Sequence, residues 1–97
     1  MDYLERRYEK DPSIVHRNIA GEAILVPIRR NVADMESIYT LDEVGAFIWE
    51  LIDGQRTAGD IKVAILNEYD VAPEVAEADL LELLQQLQAI GAIKAVQ

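Results

Sequence analysis

Ninety-seven residues accommodate one domain and leave little room for a second, because independently cored domains rarely fall below about 50 residues. Apolar residues make up 51% of the chain and charged residues 28%, which supports a buried core and excludes compositional disorder. Nine Lys and Arg against eighteen Asp and Glu give a formal charge of -9, which repels phosphate backbones and argues against nonspecific binding to nucleic acid; the absence of cysteine excludes disulfide frameworks, thiolate zinc sites and cysteine nucleophiles.

No apolar run approaches the ~18 residues needed to span a bilayer, and the start, Met1-Asp2-Tyr3-Leu4-Glu5-Arg6-Arg7, is charged where a signal peptide is hydrophobic. The expectation is a soluble cytoplasmic protein with no membrane partner. Residues 1–12 mix charge and aromatics without a clear period and are read as an N-terminal lead-in to a domain spanning 13–97. From Ile14 the texture is β-like. Ile14–Ile19 and Glu22–Val26 flank Ala20-Gly21, which predicts a hairpin, and Pro27 limits the ladder of its second strand. Arg29–Asp34 reads as a polar connection before a third short strand, Met35–Leu41.

Helical spacing then takes over. Thr40-Leu41-Asp42-Glu43 matches a capping box with Thr40 as N-cap, and Val44, Phe47, Ile48, Leu51 and Ile52 form an apolar stripe that ends at Asp53-Gly54. Trp49 lies off that stripe, either packed on the N-terminal segment or the strands, or exposed to a partner. Thr57-Ala58-Gly59-Asp60 is a second cap, opening a helix through Ile61, Ala64 and Ile65 to about Tyr69. Pro73 suits the first position of a third and longest helix, which Gly91 can close with a left-handed residue. At about 100° per residue, Ala76, Leu80, Leu83, Leu87 and Ile90 share one arc, with Leu84 and especially Leu81 displaced to one side. Ile93, Ala95 and Val96 alternate as a short terminal strand.

Little in the chain suggests catalysis. His16 is the single histidine and lies in a strand, and the two serines, Ser13 and Ser37, open no nucleophile elbow, so no Ser-His-Asp system can be assembled. The carboxylates are spread over helix surfaces and caps without the spacing of a calcium loop, and the five glycines are isolated, which removes dinucleotide and phosphate-loop readings. No catalytic residue, metal ligand or cofactor is assigned. Arg29-Arg30 is a basic spot read as a solubilising loop.

Three strands followed by three helices predict an α+β, winged-helix-turn-helix-like fold, a three-stranded antiparallel sheet with a three-helix bundle. A DNA reader of this kind needs a basic third helix, whereas Glu74–Ile90 carries four acids and no Lys or Arg. An open sheet edge beside an over-apolar helix suits an extended peptide added as a strand. Alternatives are a winged-helix DNA-binding regulator and an acidic interaction or carrier domain, although neither serine opens a helix to take a carrier's prosthetic arm.

The segment Tyr39-Thr40-Leu41-Asp42-Glu43-Val44-Gly45-Ala46-Phe47-Ile48-Trp49-Glu50-Leu51-Ile52-Asp53-Gly54, followed by Arg56-Thr57, Asp60-Ile61, Tyr69-Asp70 and Leu87–Gly91, resembles the PqqD-like family of peptide chaperones, named for pyrroloquinoline quinone biosynthesis. The similarity runs from about Ile14 to Ile93, with Asp42 where the family often has Asn. The resemblance implies a noncatalytic recognition element that binds the leader of a ribosomally made precursor peptide and presents it to a radical S-adenosylmethionine (SAM) enzyme. It further implies that the leader adds to the third strand and docks against the third helix. Carried over by position, the peptide-binding residues are Ser37, Ile38, Tyr39 and Thr40 on the strand and Leu81, Leu84, Gln85 and Gln88 on the helix. An exposed third-strand edge also allows a homodimer.

Overall fold

Among the described residues, the hairpin centred on Ala20-Gly21 opens the larger of two sheets. The computed structural model describes residues 3–27 and 39–96. In chain order these form a 3-10 turn at Tyr3–Glu5, then β1 (Tyr8–Lys10), β2 (Ile14–Ile19), β3 (Glu22–Pro27), β4 (Tyr39–Leu41), α1 (Glu43–Leu51), α2 (Ala58–Glu68), α3 (Pro73–Ala89) and β5 (Ile93–Ala95). Ala20 and Gly21 both hold positive φ, 53° and 82°, as a two-residue turn with the right-handed twist of its flanking strands requires. The turn sets the register Ile14↔Pro27 through Ile19↔Glu22, so Pro27 does pair at the strand's end. β4 adds antiparallel to β3, with Ala23 opposite Leu41 and Leu25 opposite Tyr39, giving the order β2-β3-β4. This is the expected α+β arrangement of a three-stranded antiparallel sheet with three helices. The expected connection Arg29–Asp34 and the strand positions Met35–Ile38 lie outside the described residues.

Residues 1–12 showed no periodicity in sequence, yet those described within them are stitched into the molecule. β1 pairs antiparallel with β5 in a second, two-stranded sheet, and Tyr8, 3% exposed, belongs to the same apolar cluster as the helices. Ala58 N donates to Arg6 O at 2.9 Å, Gly54 N to Tyr8 O at 2.7 Å and Val96 N to Arg7 O at 2.8 Å. A three-residue strand carries too little alternation to be read from sequence, and its partner lies at the far end of the chain.

The helix ends are set locally, with one correction. α1 is capped by Asp42, whose Oδ1 accepts from Gly45 N at 2.7 Å, and not by Thr40, which stays in β4. Both residues are acceptable caps; pairing with β3 holds Thr40 in the ladder and leaves the first free acceptor at Asp42. At α2 the expected capping box is present in full: Asp60 N donates to Thr57 Oγ1 at 3.1 Å and Thr57 N donates to Asp60 Oδ2 at 3.0 Å. Pro73 opens α3, and Gly91, with φ of 79°, follows its end.

Burial settles one alternative and corrects two expectations. Trp49 packs in the core beneath the N-terminal strand, the first of its two readings, with Lys10 Nζ 5.1 Å from its ring centroid, while Phe47, expected in the core stripe, is half-buried and meets Tyr69 edge-to-face at 5.4 Å. The small β1–β5 sheet gives α1 a second apolar neighbour that its own stripe does not announce. On α3 the buried residues are Ala76, Leu80, Leu84 and Leu87, whereas Leu83 is half-buried and Ile90 exposed. The core-facing direction is therefore rotated toward Leu84.

Candidate functional site

β4 is bonded to β3 on one side, and among the described residues its other edge carries no strand. That end of the sheet borders a cleft of about 490 Å³. Tyr39, Thr40 and Leu41 line it from the strand, Asp42 from the turn that follows, Val44, Gly45 and Ile48 from α1, and Asp79, Glu82, Leu83 and Gln86 from α3. The strand-to-helix junction is tight here because Gly45 is buried under the cap: a Cβ on it would stand 3.1 Å from Asp42 Oδ1 and 3.4 Å from Leu41 Cδ2.

Apolar and polar groups divide the cleft. Leu41 and Ile48 are buried and Val44 and Leu83 half-buried, which supplies a hydrophobic base. Across it the Tyr39 hydroxyl donates to Gln86 Oε1, and Gln86 Nε2 donates to Glu82 Oε2 at 3.4 Å, so one polar chain links β4 to α3. Partial burial, with the negative charges of Glu82 and Asp42, raises the Tyr39 phenol above its ordinary range. Asp42, Asp79 and Glu82 are exposed at the cleft. No Lys or Arg lines it among the described residues; Arg56 pairs with Asp53, Lys62 with Glu77 and Lys94 with Glu9, all elsewhere.

Of the residues carried over by position, Tyr39 and Thr40 line the cleft. Ser37 and Ile38 lie outside the described residues. Leu84 is 1% exposed in the core; Leu81 is half-buried, and Gln85 and Gln88 are exposed. None of these four lines the cleft. At about 100° per residue, Leu81, Gln85 and Gln88 fall on one flank of α3 and Asp79, Leu83 and Gln86 on the other, with the core positions between. The flank that meets β4 carries a 79, 82, 83, 86 spacing legible as a helix stripe, but which flank meets the sheet is a tertiary fact. Among the described residues no three metal-ligating side chains converge, and no helix is long and apolar enough to cross a membrane.

Among the described residues, a short antiparallel sheet whose β4 edge borders the cleft, joined through a capped turn to three packed helices, defines a winged-helix-like α+β domain. Residues 22–93 match the family described as Coenzyme PQQ synthesis protein D (PqqD), and the chain belongs to that family. Among solved structures it is similar to one described as TbiB1 in complex with the TbiA(beta) leader peptide, at 26% identity and a TM-score of 0.72, covering 89% of this chain and 94% of that one. It is also similar in fold to lasso peptide synthetase B1 complexed with the leader peptide, at 20% identity and a TM-score of 0.74, covering 94% and 99%. A comparison with curated proteins gives no match.

Proposed function

We propose that this chain is a noncatalytic module that binds the leader segment of a ribosomally made precursor peptide and presents it to the enzyme that modifies it. The leader adds as a strand to the free edge of β4 and lays its side chains into the cleft against α3. The observation that carries this reading is the β4 edge, unpaired among the described residues, beside a hydrophobic-based cleft in a PqqD-family chain. The leader-peptide complex of TbiB1 supports the same class of ligand. The helix side of the site is then Asp79, Glu82, Leu83 and Gln86, on the flank opposite Leu81, Gln85 and Gln88. A radical SAM maturase is the partner enzyme that the family likeness favours, and a second copy of this chain competes for the same edge.

Magnitudes set what the cleft must contribute. Ordering a leader costs about 1 to 2 kcal/mol per residue, and each added main-chain hydrogen bond returns a net of about 0.5 to 1.5 kcal/mol. Strand addition therefore comes close to balance. Micromolar affinity, about -8 kcal/mol, requires two or three apolar side chains seated at about 1.5 to 3 kcal/mol each.

The test is an amide NMR titration of the labelled chain with the leader of a precursor encoded beside it. Shifts concentrated at Tyr39–Leu41 and Asp79–Gln86 are expected, together with loss of binding in Leu83→Glu and its retention in Leu81→Glu. Shifts confined to the Leu81, Gln85 and Gln88 flank would place the peptide on the other face of α3 and overturn the proposed geometry. If the leader moves nothing while sedimentation shows a monomer with its edge free, the leader-binding reading itself fails.

A further inference from the structure

The described charges at the cleft are of one sign, and this bears on what the peptide must carry. Three carboxylates stand at it, Asp42 from the turn after β4 and Asp79 and Glu82 from α3, and no cation lines it among the described residues. Among the described residues, Asp42 is engaged as the α1 cap and Glu82 by the 3.4 Å contact from Gln86. The Tyr39 hydroxyl donates to Gln86 Oε1 and Gln86 Nε2 to Glu82 Oε2 at 3.4 Å, which joins Glu82 to the β4 side of the cleft. Burying a neutral peptide against these groups would strip water from the carboxylates without compensation, which is costly, whereas a cation offsets their desolvation.

Spacing narrows the pattern. Asp79 and Leu83 are one helical turn apart, about 6 Å along α3. Side chains two apart on an extended strand are separated by about 6.5 Å and point the same way. We infer that the peptide segment seated in this cleft carries a Lys or Arg two residues from an apolar side chain, the cation against Asp79 and Glu82 and the apolar group on Leu83, Val44 and Ile48. The inference rests on the leader-binding reading above and specifies the chemistry of the leader that this chain selects. It assigns Asp79 and Glu82 as specificity determinants, outside the core and outside the helix cap.

The experiment pans a display library of random peptides against the full-length chain and against an Asp79→Asn, Glu82→Gln variant, whose amide spectrum is checked for an unchanged fold. Enriched peptides that shift the Tyr39–Leu41 amides are expected to share a Lys or Arg two positions from an aliphatic or aromatic residue. The variant should lose that basic preference. Replacing the cation with Gln in an enriched peptide should weaken binding about fivefold at ~0.05 M salt, with little difference left at ~0.5 M. Enriched peptides that bind at β4 without a basic residue, or whose basic preference persists in the variant, overturn the charge assignment and leave leader binding standing. A panning that enriches nothing above a bait-free control overturns both.

Discussion

Leu83 and Leu84 are neighbours in sequence but stand about 100° apart around α3, and that rotation decides what each contributes. Leu84, 1% exposed, fills the core, so Leu84→Ala should cost about 2 to 5 kcal/mol in chemical denaturation through the cavity it leaves. Leu83 is half-buried at the cleft, and Leu83→Ala should cost under about 1.5 kcal/mol in stability while weakening the proposed peptide interaction. If Leu83→Ala destabilises as strongly as Leu84→Ala, the assigned faces of α3 are wrong. Asp42→Ala should lower stability by about 1 kcal/mol through loss of the α1 cap, and Thr40→Ala should not reproduce that loss at the helix terminus as read by amide exchange.

Two more residue-level outcomes follow from backbone and charge. Ala20 occupies the left-handed region at φ of 53°, where a Cβ is strained by about 1 kcal/mol, so Ala20→Asn, creating the favoured Asn-Gly turn, should raise the denaturation midpoint. Tyr39 should ionise above the ordinary value of 10.0, chiefly because it is partly buried and secondarily because of Glu82 and Asp42. The folded chain favours the neutral phenol, so the associated stabilisation is complete below that ordinary value and is lost as pH rises through the folded-state one. Spectrophotometric titration of Glu82→Gln should show Tyr39 ionising at lower pH than in the parent; an unchanged curve would remove Glu82 as a contributor.

At the scale of elements, the small β1–β5 sheet ties the two ends of the chain across α1. Removing residues 1–10 takes Tyr8 out of the core, unpairs β5 and uncovers Trp49. Deleting a large buried aromatic alone costs about 3 to 5 kcal/mol, so the truncated chain should melt at markedly lower temperature by circular dichroism, with Trp49 fluorescence shifted to the red. An unchanged melting curve would show that β1 merely rests on the domain. The local signals around these elements were readable: Thr57 and Asp60 declare their capping box, Pro73 its helix start and Ala20-Gly21 its turn, since each acts within four residues of itself. β1 was not readable, because its three residues acquire a strand's geometry only from a partner more than eighty positions away.

Taken whole, the molecule combines a net charge of -9 with a cleft whose described charges are all acidic. Self-repulsion of that size should make thermal stability rise as salt increases from about 0.05 to 0.5 M, the opposite of a fold held by surface ion pairs. The sequence by itself determined the order of elements from β2 onward, the hairpin, two of the helix starts and the apolar content of each helix, because these depend on contacts close along the chain. It also carried the family likeness, which rests on the order and spacing of residues 39–91. Tertiary structure alone decided that Trp49 is core and Phe47 rim, that Thr40 stays in the sheet, and that Asp79, Glu82, Leu83 and Gln86 face β4. A helix pattern states how wide its apolar face is but not which flank turns toward the sheet; that orientation is set when α1, α2 and the paired chain ends pack together.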